Sequence, residues 1–534
     1  MINGSRIPVT VGVTGHRDVR DEDREILKEA VKKELGALQA KCPESPVVVV
    51  TALAEGADQL CAGAALEMGL DLISVLPMPM PEYAKDFEGP AFEELMRLAD
   101  ASSQVFVSPE PEAYDERFGS RRDWRYRQAG LYIGKHSHVM IALWDGSEGD
   151  DCGCGTASIV RAVRNGSFGG SGPRKICPDD RTVIQITTPR AGSGTELPAG
   201  EVKYHGDAAA FDSMLRDTET FNEDALKRGA ASGDGAEEDG DPVTAGLRRL
   251  YRAADSISMG NAVIHRRFLA RLSAAATMLT MAFLLYDEAE WHWMIILCGI
   301  LIIVLFAINR LSRKRRFRAR YLEYRVFAEA LRVQIHLRTA GIGCEVSEIM
   351  PWNLQLAMPW IRNAVSACMT GPAQTERKSV RESWVIDQRD YHRRAAVKSG
   401  QKLRKNDRII NIALVMTLLI YAFALVYELA WGDALGGQPA FSPEANCIIR
   451  MYIKIAMGTA AAGTLFAGSY YGKQALPNVT DDHRKMAALY EEAAEEIGRL
   501  GEKEELLISL AEDELTENAN WYAYQSKNEP DLGI

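Results

Sequence analysis

An α/β Rossmann-like (parallel sheet) N-terminal domain followed by an all-α four-span membrane domain with long cytoplasmic helices is the architecture this 534-residue chain predicts. Three observations carry it. From residue 7 to residue 188, short β-branched runs alternate with helical patterns, the signature of strand-helix-strand units that build a parallel sheet. Two apolar runs, 268–286 and 292–311, are separated only by the acidic stretch 287–291, and each is near the ~20 residues needed to cross a bilayer core. A second pair, 409–431 and 447–471, repeats the arrangement further along.

The totals fit that layout. The net charge of −11 excludes a general nucleic-acid binder, whose polyanion-binding surface would show as a basic domain. Basic residues gather instead beside the apolar runs. Nine cysteines, an odd number without framework spacing, fit a reducing compartment. Residues 1–8 hold no apolar signal region, so membrane insertion is expected to rest on the internal runs.

Taken in order, the first strand, 7–13, ends in Thr14, Gly15, His16, Arg17 and Asp18 and leads to a helical pattern over 22–40. A strand at 47–51 runs into Glu55, Gly56, Ala57 and Asp58 and then a helix rich in small residues, which pack closely on a sheet. A strand at 70–76, a helix at 91–99, a strand at 104–107, a helix at 121–136 and a strand at 139–144 continue the alternation. After Asp145 comes a loop with Gly146, Gly149, Gly153, Gly155 and Thr156, directly before a helix at 157–163. A strand at 182–188 finishes the series.

Three glycine turns thus fall at one edge of the sheet, where doubly wound folds bind ligands. Glycine lets the backbone approach a ligand, and free N–H groups at a helix start attract anions. The expected ligand-binding residues are Gly15, His16, Arg17, Glu55, Gly56, Asp58, Asp145, Gly153, Gly155 and Thr156. Arg17 offers the planar fork that suits phosphate, while His16 either contacts the ligand or packs beside the turn. Glu55 and Asp58 either hold ribose hydroxyls, supply an acid and a base if the protein is an enzyme, or, for Asp58, cap a helix. No catalytic residue is assigned otherwise. Cys152 and Cys154 lack a second pair at zinc spacing, so no metal site is expected. The basic helix start Arg121, Arg122, Arg125 and Arg127 either faces an anion or is simply solvated.

The pieces Thr14-Gly15-His16-Arg17, Glu55-Gly56-Ala57-Asp58, Trp144-Asp145-Gly146 and Gly155-Thr156-Ala157 resemble the SLOG branch of the DNA-processing protein A and LOG-like Rossmannoid superfamily. The resemblance covers roughly residues 1–200 and implies sensing or processing of nucleotide-derived signals. One departure matters. Where LOG nucleotide hydrolases carry a catalytic Glu three residues after the Gly-Thr pair, this chain has Ile159, which favours binding over hydrolysis.

The domain boundaries that follow are 1–205 for the nucleotide-binding head, 206–245 for a flexible linker, 246–340 for a first two-span module, 341–375 for a connector, 376–515 for a second module and 516–534 for a C-terminal tail. Within the linker, 211–225 has a helical pattern and 229–242 is rich in Gly, Asp and Glu, too polar to order itself. The connector reads equally as buried or as a membrane-surface helix. Arg313, Lys314, Arg315, Arg316, Arg318 and Arg320 follow the second apolar run and Arg266, Arg267 and Arg271 flank the first, so the positive-inside rule predicts an inner-membrane, multi-pass protein with both termini cytoplasmic. Arg450 and Lys454 lie on the opposite side and are expected to snorkel outward.

Helices after each hairpin align as Tyr324-x-x-x-Ala328-Glu329 and Tyr490-x-x-x-Ala494-Glu495, an internal repeat in register. Together with Arg332 and Gln334, and with Trp384, Asp387, Gln388 and Tyr391 in the second copy, these residues resemble the SLATT group of two-span modules. That resemblance implies a pore-forming or membrane-disrupting effector of a prokaryotic conflict system. The expected partners are a nucleotide second messenger, the lipid bilayer and, from small-residue stripes such as Gly458 and Ala462, further copies in a homo-oligomer; packing inside one monomer explains the stripes equally well. No cofactor other than the nucleotide-derived ligand is expected. The competing function is a membrane-tethered hydrolase that cleaves a nucleotide's N-glycosidic or phosphoester bond.

Overall fold

The computed structural model describes residues 5–109, 114–116, 119–147, 153, 155–168, 181–192, 197–228, 241–289, 291–374, 376–431, 441–472 and 476–527. Its first part alternates strictly: β1 (Val9–Gly15), α1 (Arg24–Lys41), β2 (Val47–Thr51), α2 (Ala57–Glu67), β3 (Asp71–Leu76), the short α3 (Met80–Tyr83), α4 (Gly89–Ala101), β4 (Gln104–Val107), α5 (Arg121–Lys135), β5 (Val139–Trp144), α6 (Thr156–Arg164), β6 (Thr182–Thr187), β7 (Val202–His205) and α7 (Ala208–Lys227). The strands form one sheet in the order β4-β3-β2-β1-β5-β6-β7. All pairs are parallel except β6 with β7. The last strand lies outside the sequence reading because Val202–His205 is short, polar on alternate positions and half-exposed. The central strands are buried along nearly their whole length, as a sheet covered on both faces demands.

Helix α7 corrects the expected 206–245 linker. Asn222 donates to the Ile7 carbonyl at 2.9 Å and accepts from Ile7 N–H at 2.8 Å, while Glu219 accepts from Glu44 N–H at 2.8 Å. These buried bonds make α7 part of the head. The polar stretch 229–240 lies outside the described residues.

The remainder is helical: α8 (Pro242–Glu288), α9 (Met294–Arg315), α10 (Phe317–Thr339), α11 (Val346–Ile349), α12 (Trp352–Ala357), α13 (Pro359–Cys368), α14 (Asp387–Ala430), α15 (Pro443–Gly472), α16 (Leu476–Leu500) and α17 (Glu504–Lys527). Among the described residues, three helical stretches are long and apolar enough to cross a membrane: Pro242–Glu288, Met294–Leu311 and Arg381–Ala430. The fourth expected span, 447–471, falls in α15 (Pro443–Gly472), a 30-residue helix that is not one of these three stretches. Helix α17 runs to Lys527, so most of the predicted 516–534 tail is helix.

The chain falls into two compact units. One comprises Met1–Ile257, Tyr324–Ser379 and Glu504–Ala519. It joins the sheet domain to helical segments far away in sequence, through an aromatic cluster in which Phe221 meets Tyr324 and Phe327 edge-on, each at 5.2 Å, and Trp360 lies 5.2 Å from Phe327. Every residue of α13 from Trp360 to Cys368 is buried, so this part of the connector is interior, whereas α12 leaves Trp352 and Leu356 exposed. Arg332 bridges Glu329 and Glu514, both at 2.6 Å, tying α10 to α17.

The other unit comprises Ser258–Glu323, Val380–Lys503 and Asn520–Ile534. Within it Ala282, Met294 and Cys298 form the core of the first hairpin, with Leu279, Leu297 and Leu301 against them. Ile302, Ile303 and Phe306 point outward, as do Leu418, Leu419 and Phe423. Arg450 and Lys454 do not snorkel freely. Arg450 forks onto Glu428 at 2.8 and 2.7 Å, and Lys454 meets Glu288 at 2.9 Å. The repeat keeps its buried positions in register: Tyr324 and Tyr490, and Ala328 and Ala494, are all buried. Glu329 is buried among arginines, whereas its counterpart Glu495 is exposed.

Candidate functional site

The strand order fixes where a ligand crevice belongs. The chain proceeds from β1 outward to β4 and then returns to place β5 on the other side of β1. The switch point is therefore between the carboxyl ends of β1 and β5, where Gly15 pairs with Leu143. At that position stand Gly15, His16 and Arg17 from the first strand and Asp145 from the fifth.

Gly15 has no room for a side chain. A Cβ there would lie 2.4 Å from Ala57 Cβ and 2.8 Å from the Leu143 carbonyl. Gly56 has φ +84°, and its Cβ would meet the Arg17 carbonyl at 2.3 Å. Both glycines serve close approach of the β1 and β2 loops, and Ala57 N–H donates to the His16 carbonyl at 3.0 Å to join them.

His16 is buried and bridges the switch point. Its backbone N–H donates to the Leu143 carbonyl at 3.0 Å, and its Nε2 lies 3.2 Å from both Asp145 N–H and Asp145 Oδ1. Burial holds its pKa below the ordinary value against the pull of Asp145, so the neutral ring accepts from the Asp145 N–H. A proton on Nε2 would end that bond and let the charged ring donate to Asp145 Oδ1 instead. Asp145 is held in turn by Ser147, whose N–H and hydroxyl donate to Oδ1 at 2.9 and 2.7 Å.

Arg17 is exposed, with its guanidinium carbon 4.6 Å from the centre of the Tyr126 ring on α5. The Tyr126 hydroxyl donates to Asp86, which also forks with Arg122. Tyr83, fully buried, donates to the Ala52 carbonyl at 3.0 Å. This aromatic and acidic surround was not legible from glycine turns; the only sequence signal was Tyr126 lying inside the basic run Arg121 to Arg127. Of that run, Arg122 is committed to Asp86, and Arg127 to the Gly153 carbonyl and to Ser158 Oγ at 2.6 Å.

Asp58 is buried, and burial pushes its pKa up to about 6. It accepts from Ala54 N–H at 3.4 Å and is further held by Thr51 and Ala52. Its carboxylate therefore braces the β2 loop from within, while the helix cap itself is Gly56. Beside it Leu53 has φ +59°, a conformation costly for a branched side chain, at a fully buried position. Glu55 is exposed and has no ion-pair partner among the described residues.

Gly155 caps α6 with no side-chain bond, and Ser158 N–H and Ile159 N–H return to its carbonyl at 3.1 and 3.2 Å. Gly153 has φ +80°, and its carbonyl accepts from Arg127. Thr156 opens the helix. Ile159 points into the core, where its Cδ1 would lie 2.8 Å from a Cβ at Gly130. Cys152, Cys154 and Gly149 lie outside the described residues. Among the described residues no group of three His, Cys, Asp or Glu side chains is placed to hold a metal ion. Neither family models nor curated proteins show a match to this chain.

Proposed function

We propose that this protein is a nucleotide-signal-sensing membrane effector of a prokaryotic anti-phage or conflict system. The cytoplasmic head binds a nucleotide-derived ligand, and binding triggers pore formation or disruption of the inner membrane by a homo-oligomer. The observation that carries the reading is the pairing, in one chain, of a doubly wound sheet whose β1/β5 switch point is lined by Gly15, His16, Arg17 and Asp145 with helices long and apolar enough to cross a membrane. Exposed Arg17 over Tyr126 supplies a cation beside an aromatic face, a combination suited to a phosphate next to a base. Four spans with both termini inside agree with the basic residues flanking the runs. For such a ligand to act, it must bind the active arrangement more tightly than the resting one.

The test starts with the full-length protein purified from cells under challenge. Mass spectrometry identifies the small molecules that co-purify, and each is added to dye-loaded proteoliposomes carrying the chain. Ligand-dependent dye release, lost in Gly155→Asp, is the expected result. A ligand that binds and releases nothing refutes the effector reading, and ligand turnover abolished by Glu55→Gln replaces it with a hydrolase.

A further inference from the structure

Helix α5 is engaged at both ends. Its first half belongs to the candidate site, with Tyr126 under Arg17 and Arg127 on the Gly153 carbonyl and Ser158. Its last turn carries Tyr132, Lys135 and His136, spaced to share one face. These three hold both ends of the connector. Tyr132 OH accepts from Gly371 N–H at 3.0 Å and reaches the Gly371 carbonyl at 2.9 Å. His136 Nε2 and Lys135 Nζ converge on Glu345 Oε1 at 2.9 and 2.8 Å, and Lys135 also meets Glu348 at 3.2 Å. Tyr132 and His136 stack at 3.9 Å between those two anchor points.

We infer that α5 is the output lever of the head, coupling the start of α6, held by Arg127 at Ser158, to the connector through the clamp of Tyr132, Lys135 and His136 on Glu345 and Gly371. The lever is stiff. Ser120 and Asp123 close a capping box at its start, and the Arg181 guanidinium donates to the Ser137 and Lys135 carbonyls at 2.9 and 3.0 Å at its end. From Tyr126 to Lys135 it spans about 14 Å at 1.5 Å per residue. The clamp is expensive to loosen by halves, because Glu345 is buried: burial works against its charge, yet Lys135 and His136 hold its pKa far below the ordinary carboxylate value.

The connector passes the position on. Val346 N–H donates to Gln334 of α10 at 2.8 Å, and Arg338 of α10 holds both the Pro372 carbonyl, at 2.7 Å, and Asp241 just ahead of α8, at 2.6 Å. Helix α8 is one of the three stretches apolar enough to span a membrane. A ligand that draws the start of α6 away from Arg127 thus changes what α5 presents to the connector.

The inference rests on reading the carboxyl edge of the sheet as the ligand end, but its test needs no ligand, so the two fail separately. Coupling between sites is reciprocal, so a change at either end must be felt at the other. Hydrogen exchange of the full-length protein in detergent is compared for wild type, Arg127→Gln, Glu345→Gln and the milder Tyr132→Phe. Each variant is expected to speed exchange about tenfold, the scale of one lost charge-assisted bond, both at 156–160 and at 346–368. Tyr132→Phe should do so more weakly and keeps the test open if Glu345→Gln does not fold. Changes confined to the mutated end overturn the proposal. So does an equal rise across the β2 amides, which marks general loosening.

Discussion

At the residue scale the head is governed by positions with no freedom. Gly15→Ala would place a methyl 2.4 Å from Ala57 Cβ, and the β1 and α2 backbones would have to part. A destabilisation of about 3 kcal/mol is expected, read as a lowered melting temperature of the full chain. Asp58 makes a pH prediction. Its folded pKa, about 6, lies above its ordinary 3.8, so the folded chain binds the proton more tightly than the unfolded one. The cost of its charge is fully present above pH 6 and is relieved as the pH falls toward 4, so this group alone makes the protein more stable on acidification, by at most about 3 kcal/mol. Melting curves of wild type and Asp58→Asn at pH 7 and pH 5 should therefore diverge, with wild type gaining on the variant at pH 5; parallel behaviour would contradict the burial argument. The residues around Gly15 and Gly56 were readable from the sequence because glycine turns after strands have a steric cause. Tyr83, Asp86 and Tyr126 were not, because their meeting depends on α3 and α5 folding over the same edge.

At the element scale, periodicity located the strands β1 to β6 and the long helices, since apolar spacing is a local property. It missed β7, whose four residues carry too little apolar alternation to distinguish them from a loop. It also took α7 for linker, because the buried Asn222 and Glu219 that tie it to the head look polar in sequence. Between α14 and α15 the Arg450–Glu428 fork is about one-third exposed, so its contribution is screened. A double-mutant cycle with Arg450→Met and Glu428→Gln is expected to give a coupling near 1 kcal/mol, and a coupling of zero would return Arg450 to a free snorkelling role.

At the scale of the whole molecule, the unit that contains the sheet is assembled from three separate stretches of chain. A fragment of residues 1–245 would leave Phe221 of α7 without Phe327 and Trp360, and Met214 without Asn363, which meet them in the full chain. It is expected to aggregate or to elute as soluble oligomers, whereas addition of segments 324–379 and 504–519 should restore a monodisperse species; a well-behaved monomer from 1–245 alone would show that the cluster is dispensable. The sequence by itself determined the parallel α/β head, the apolar helices and the register of the Tyr-x-x-x-Ala repeat, because each is written in the spacing of neighbouring residues. Only the tertiary structure decided that α13 of the connector is interior, that Glu329 is buried among arginines while Glu495 is not, and that the switch point is bridged by His16 and Asp145. Those outcomes depend on which distant segments exclude water from which faces, and burial of that kind has no local signature.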